Sequence, residues 1–177
     1  MRLIILLVVF GWSIFTAFSQ ELVTDKTASS ISFKIKNFGF NVDGTFNEFI
    51  TSSNFNTNNV KEPFFNVKIG VESIFTDSKA RDKHLLDSDY FDVDTYPNIV
   101  FESSSIKKIS TSKYLLKGFI TMKGIQKRIE TVLDVSTSKT SVTILASFSL
   151  NRKDFGIGGS SLVLAKEVNI TMKYVGV

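Results

Sequence analysis

The strictest constraint on this chain is a two-residue rhythm that runs through most of its length and changes phase once inside a single apolar run. In ISFKIK, Ile31, Phe33 and Ile35 fall on one face, and Ser32, Lys34 and Lys36 on the other. In FGFNVDGTF the apolar residues Phe38, Phe40, Val42 and Phe46 sit at even positions instead. The period is that of a half-buried strand. The phase change near Asn37-Phe38-Gly39 predicts an inserted residue there, hence a bulge or sharp bend. Glycine suits such a place because it tolerates positive φ. Devices of this kind let a sheet curl until it closes.

Six further segments carry the same rhythm. Phe65, Val67, Ile69 and Val71 align, then Ile99 and Phe101, then Tyr114, Leu116, Ile120 and Met122. Gly118 falls within that third set, at the step where a large side chain would crowd the interior. Ile129, Leu133 and Val135 follow, then Val142, Ile144, Ala146, Phe148 and Leu150, and last Val168, Ile170, Met172 and Tyr174. Short turns near 110–113, 123–127 and 137–140 join several of them, so those neighbours run antiparallel. About eight antiparallel strands, each with one apolar face, leave two shapes open: a sandwich of two sheets, or an up-and-down barrel closed on its own apolar face. A barrel of that size has room for side chains or for one ligand. The 17 phenylalanines, about 14 of them after residue 19, lean towards an apolar pocket.

The first nineteen residues read as a secretory signal instead of as fold. Met1-Arg2 gives a positive start, Leu3 to Phe15 an apolar core, and Ala17 to Ser19 a small-x-small end, with cleavage expected before Gln20. The apolar run is shorter than the ~20 residues of a membrane span. Residues 20–177 then form one domain, long enough to build a core without staples. With no cysteine there are no disulfides, no thiol chemistry and no thiolate-bound metal. The formal charge of +4 falls to about +3 without Arg2, and both signs are interspersed, so nothing points to nucleic acid.

One stretch, Ser78 to Phe101, departs from the strand rhythm. It holds His84, the only histidine, and Pro97, one of two prolines. Ala80 to Leu86 has good helix formers, with Asp77 or Ser78 to cap it, and Leu85 and Leu86 as its apolar side. Tyr96 is pushed to extended geometry by Pro97. A short helix and loop of this kind, apolar side down, would cover a barrel mouth. Asp87, Asp89, Asp92 and Asp94 do not make a calcium loop, because Phe91 takes a ligand position and both the turn glycine and the closing glutamate are missing. One histidine and no cysteine make a poor zinc site. No serine lies in a Gly-x-Ser-x-Gly context, and Gly156 to Gly159 lacks the lysine and spacing of a phosphate loop. The sequence therefore offers no catalytic constellation and no metal site.

The segment ARDKHLLDSDYFDVDTYPNIVF resembles the hallmark of the YceI-like family: Arg-Asp-x-His-Leu, then Phe-Asp, then Tyr-Pro and a short strand ending in Phe. Here these are Arg81, Asp82, His84 and Leu85, then Phe91 and Asp92, then Tyr96 and Pro97, then Phe101. GFITMKGIQKRI is similar to the family's Gly-x-Leu-Thr-x-x-Gly-Val-Thr-Lys-Pro strand pair, and NRKDFGIG to its Asn-Arg-x-Asp-Phe-Gly corner. The matches run in order along the whole chain after the signal. Three positions depart: Asn37 stands where the family has histidine, and Gln126 and Arg128 replace the threonine and proline of the turn. The Asn37 change bears on the polar end of a cavity.

The resemblance implies an all-β fold, an extended antiparallel eight-stranded lipocalin-like barrel with the helix and loop insert near 78–92. It implies an exported, periplasmic or secreted, non-enzymatic protein that encloses a polyisoprenoid or similar long-chain lipid for transport or storage. The alternative is a structural or stress-response barrel with a filled interior. No cofactor is expected beyond the lipid. The partners expected are that lipid and a transient membrane surface, with no nucleic acid; a homodimer is left open. The expected ligand-binding wall comprises Phe33, Ile35, Phe40, Val42, Phe46, Val67, Ile69, Phe101, Ile120, Phe148 and Met172. At the mouth the expected residues are Asn37, Arg81, Asp82, His84, Leu85, Phe91 and Arg152. For Arg81, Asp82 and His84, and for Arg152, the competing reading is a structural clasp that ties helix or corner to the strands.

Overall fold

The computed structural model describes residues 23–55 and 62–177; the signal-like segment lies outside them. Its strands are β1 (Ser30–Asn37), β2 (Phe40–Phe46), β3 (Phe49–Ser53), β4 (Phe65–Gly70), β5 (Ile74–Phe75), β6 (Asn98–Lys108), β7 (Lys113–Met122), β8 (Ile125–Thr137), β9 (Val142–Asn151) and β10 (Leu164–Gly176). One helix, α1 (Lys79–Leu86), and two 3₁₀ turns, Val71–Ser73 and Arg152–Phe155, complete it. All ten strands form one antiparallel sheet in the order β3-β4-β6-β7-β8-β9-β10-β1-β2-β5.

The sheet curls on its apolar face, and two chain links draw its edges together. Asn47 and Glu48 carry the chain from β2, next to one edge, to β3 at the other edge. The Val71–Ser73 turn returns it from β4 to β5, which pairs with β2. Cross-bonds hold the links: Asn47 N donates to Ser73 O at 3.1 Å, and Gly70 N to Glu48 O at 3.0 Å. The all-β antiparallel expectation therefore stands, with ten strands in place of eight. The two additions are β3 and β5, both edge strands. FITSS alternates weakly because the polar Ser53 is buried while the apolar Ile50 is exposed, and β5 is two residues long.

The phase change in the sequence is a hairpin between separate strands. Asn37 pairs with Phe40, and the two residues between them, Phe38 (φ 50°) and Gly39 (φ 80°), both take positive φ. That is the two-residue turn whose twist matches the flanking strands. A bulge is present as well, where β1 slips against β10 between Ile35 and Asn37.

Two ring pairs pack within the curl. Phe55 meets Tyr114 edge-on at 4.9 Å and Phe65 meets Tyr174 at 5.2 Å, and all four are buried. Edge-to-face pairs of this kind add to the burial of large apolar rings. Helix α1 is capped by Ser78, whose Oγ accepts from Arg81 N, and has no fully buried residue. Leu85, Leu86, Tyr90, Phe91 and Val93 pack on the core from outside the sheet.

Candidate functional site

The strand rhythm places a ring of apolar side chains inside the curl, and they do not fill it. A cavity of about 190 Å³ remains. Its wall takes Ile31, Phe33 and Ile35 from β1, Val42 and Phe46 from β2, and Phe65, Val67 and Ile69 from β4. Ile99, Phe101, Leu116, Ile120, Met122 and Ile129 follow around the sheet, then Ala146, Phe148, Leu150, Val168, Ile170 and Met172. Among the described residues, polar side chains on the wall are few: Asn37, Thr76, Arg81, Tyr90, Thr131 and Arg152, with no carboxylate.

Two glycines shape the wall by close approach. A Cβ on Gly44 would come within 2.2 Å of Phe33 Cζ, because the Phe33 ring lies across Gly44 on the paired strand. A Cβ on Gly118 would meet the Phe101 ring at 2.6 Å and Glu102 O at 2.5 Å. Each ring thus lies against the wall where its neighbour has no side chain. The expected crowding at Gly118 has this concrete form.

The charged segment forms a cover tied to the sheet through Thr76. Arg81 donates from Nε to Thr76 Oγ1 at 2.7 Å and from Nη2 to Thr76 O at 2.5 Å. Asp82 accepts from Thr76 N at 2.9 Å and from its hydroxyl at 2.5 Å. Phe91 turns inward, edge-on to Phe46 at 6.2 Å. Asp89 O accepts from Gly158 N at 2.8 Å, so the loop after α1 also meets the corner before β10.

Arg152 organises that corner. It is 4% exposed, and all its donors go to carbonyl oxygens: Nε to Ala165 at 2.8 Å, Nη2 to Leu164 at 3.1 Å, and Nη1 to Ile157, Gly158 and Gly159 at 2.6, 2.9 and 3.2 Å. Burial without a carboxylate partner lowers its pKa from the ordinary guanidinium value, an effect that Tyr90 partly opposes. The side chain stays charged at neutral pH. It lines the cavity while it pins two stretches of backbone, 157–159 and 164–165.

Of the residues singled out from sequence, Phe33, Ile35, Asn37, Val42, Phe46, Val67, Ile69, Arg81, Leu85, Phe91, Phe101, Ile120, Phe148, Arg152 and Met172 line the cavity together. Three do not. Phe40 shares the inner parity of β2 but sits at the hairpin tip beyond the wall, 77% exposed. Asp82 spends its carboxylate on Thr76. His84 is exposed, with Nδ1 2.9 Å from Asp87 and its ring against Tyr90 at 4.7 Å. Beyond the expected set, inner-face strand residues such as Ile31, Phe65, Ile99 and Ile170 also line the cavity, as does Ile74 of the two-residue β5; the other unexpected lining residues fall in two groups. Tyr90, Phe155, Ile157 and Leu164 lie in or beside irregular segments, where no rhythm marks the inward side. Thr76 and Thr131 are polar residues facing an apolar space, and no sequence signal distinguishes them.

Residues 22–175 match the YceI-like domain family. A UPF0312 protein of Photorhabdus laumondii is 37% identical over 100 residues, 56% of this chain and 52% of that protein, so that match spans about half of the relative's length. A UPF0312 protein of Yersinia enterocolitica is 30% identical over 171 residues, 92% of this chain and 88% of the relative. Among solved structures, Burkholderia cenocepacia BcnA superposes with a TM-score of 0.83 at 24% identity, covering 88% of this chain and 100% of that one. A polyisoprenoid binding domain from Saccharophagus degradans, described as implicated in plant cell wall breakdown, superposes with a TM-score of 0.71 at 15% identity, covering 88% and 97%.

Proposed function

The chain belongs to the family of YceI-like domains, and from that premise we propose that it binds one apolar lipid chain, polyisoprenoid or similar, inside its curled sheet, as a non-catalytic carrier or store. The observation that carries this reading is the cavity itself: a partly open recess with an almost wholly apolar wall, with buried ring pairs packed in the same curl and α1 and its loop packed against its core. The name of the Saccharophagus neighbour supports the ligand class. The signal-like first nineteen residues support a place in the periplasm or outside the cell.

The energetics suit exchange better than permanent capture. Each methylene taken from water contributes about 0.8 kcal/mol. A tail leaving a bilayer exchanges one apolar medium for another, so most of that term cancels. What remains is packing against the wall and the polar groups at the mouth. A carrier of this design loads and unloads without an energy source.

The size of the cavity favours a second reading as well. An engineered apolar cavity of about 150 Å³ holds a benzene ring, and 190 Å³ is not much larger. Either the wall yields to a long chain, with Phe33, Phe101 and Met172 changing rotamer, or the domain is a nearly filled structural barrel. Solvent extraction of protein purified gently from its native host separates the two. A lipid recovered in stoichiometric amount supports the carrier. Its absence, together with no uptake of an added apolar fluorescent probe, refutes the carrier and leaves the filled barrel.

A further inference from the structure

Two elements beside the cavity expose apolar tips side by side. Phe38 and Phe40 at the β1–β2 hairpin are 70% and 77% exposed, and Leu162 and Val163 in the loop before β10 are fully exposed and 39% exposed. They are neighbours: Phe38 N donates to Val163 O at 2.9 Å, and Asn37 pairs with Leu164. The tips are held in place. Ser161 Oγ accepts from the backbone N–H of Val163 and of Leu164, at 3.2 and 3.0 Å, and the two-residue turn fixes Phe38. The residues just inside this rim, Asn37, Val42 and Leu164, line the cavity.

Resting on the lipid-binding reading, we propose that this rim docks the cavity mouth on the surface of an anionic lipid bilayer. Segments 35–42 and 160–166 hold Lys36 and Lys166, both exposed; of the carboxylates that follow them, Asp43 is held by Lys34 at 3.2 Å and Glu167 is the next residue of β10. Rings and aliphatic side chains flanked by unpaired lysines match the bilayer interface, with apolar tips among the acyl chains and ammonium groups among anionic heads. A second copy of the chain fits less well. A stable dimer buries about 800 Å² per partner, more than one hairpin tip and one short loop offer. Docked in this way, an apolar chain passes from the bilayer to the cavity wall without crossing water.

The test is co-sedimentation with vesicles of phosphatidylethanolamine and phosphatidylglycerol, comparing the protein with the F38S/L162S variant; neither residue lines the cavity. The expected result is binding that weakens about tenfold or more in the variant, with uptake of an apolar probe in the absence of vesicles unchanged. No sedimentation of the unaltered protein overturns the proposal. So does equal sedimentation of the variant, or a change of oligomeric state in place of a change in vesicle binding. If the vesicle result holds while neither protein takes up the probe, docking stands and the lipid-binding reading falls.

Discussion

Replacing Gly44 by alanine puts one methyl group where the Phe33 ring already lies. The new Cβ would sit 2.2 Å from Cζ and 2.7 and 2.8 Å from the two Cε atoms, against about 3.4 Å for ordinary contact. The ring must therefore retreat by about 1.2 Å at its tip, the difference between those two distances. The wall lies behind it, so it moves into the cavity. Overpacking of this kind costs about 1–3 kcal/mol. Apolar-probe uptake should fall at the same time, because the displaced ring occupies the space a ligand needs. Urea denaturation and probe titration read the two effects separately. The double variant G44A/F33L removes the clash, so its stability should exceed the sum of the single losses by about 1 kcal/mol or more. A variant G44A that loses less than about 0.5 kcal/mol and keeps full uptake would refute the reasoning, as would strict additivity in the double variant.

Three further outcomes follow from the same geometry. G118A should destabilise more than G44A, because its Cβ meets the Glu102 carbonyl at 2.5 Å as well as a movable ring; equal losses in denaturation would contradict this. Arg152→Met should cost more than about 2 kcal/mol, since it leaves five carbonyl oxygens without their donor, and a melting curve like that of the unaltered protein would contradict it. Asp25 accepts from Thr27 Oγ1, Ala28 N and Thr27 N, and these bonds hold its pKa below the ordinary 3.8. A depressed carboxylate pKa contributes stability above the unfolded value, and the contribution is lost as pH falls through the folded value. Asp25→Asn should therefore flatten the acid limb below about pH 4, and an unchanged limb would count against the turn.

Legibility in the sequence followed the backbone period. Eight strands showed because their inner faces alternate cleanly, and the same alternation brought out Phe33, Phe101, Ile120 and Phe148 as wall residues. It overreached at Phe40, because parity gives the face of a strand and not how far along it the wall extends. It failed for β3, where the polar Ser53 is buried and the apolar Ile50 exposed, and for β5, which is only two residues long. The hairpin at Phe38-Gly39 registered only as a phase change, since one extra residue and a two-residue turn shift parity alike. Helix α1 was legible from composition, but the partner of Arg81 and Asp82 was not. Thr76 lies five and six residues upstream, and only the fold of the loop shows that both side chains converge on it. Arg152 stood out as a charge in a corner motif, while its five carbonyl partners depend on a loop that doubles back.

The space inside the curled sheet is proposed to take up an apolar chain. Native mass spectrometry of protein purified under gentle conditions, set beside the I120W variant whose larger side chain enters that space, tests it most directly. An apolar chain held in the curl appears as a discrete lipid adduct on the unaltered protein, and that adduct is lost in a still-folded I120W. A bare protein mass that stays bare after incubation with long-chain lipid would contradict it.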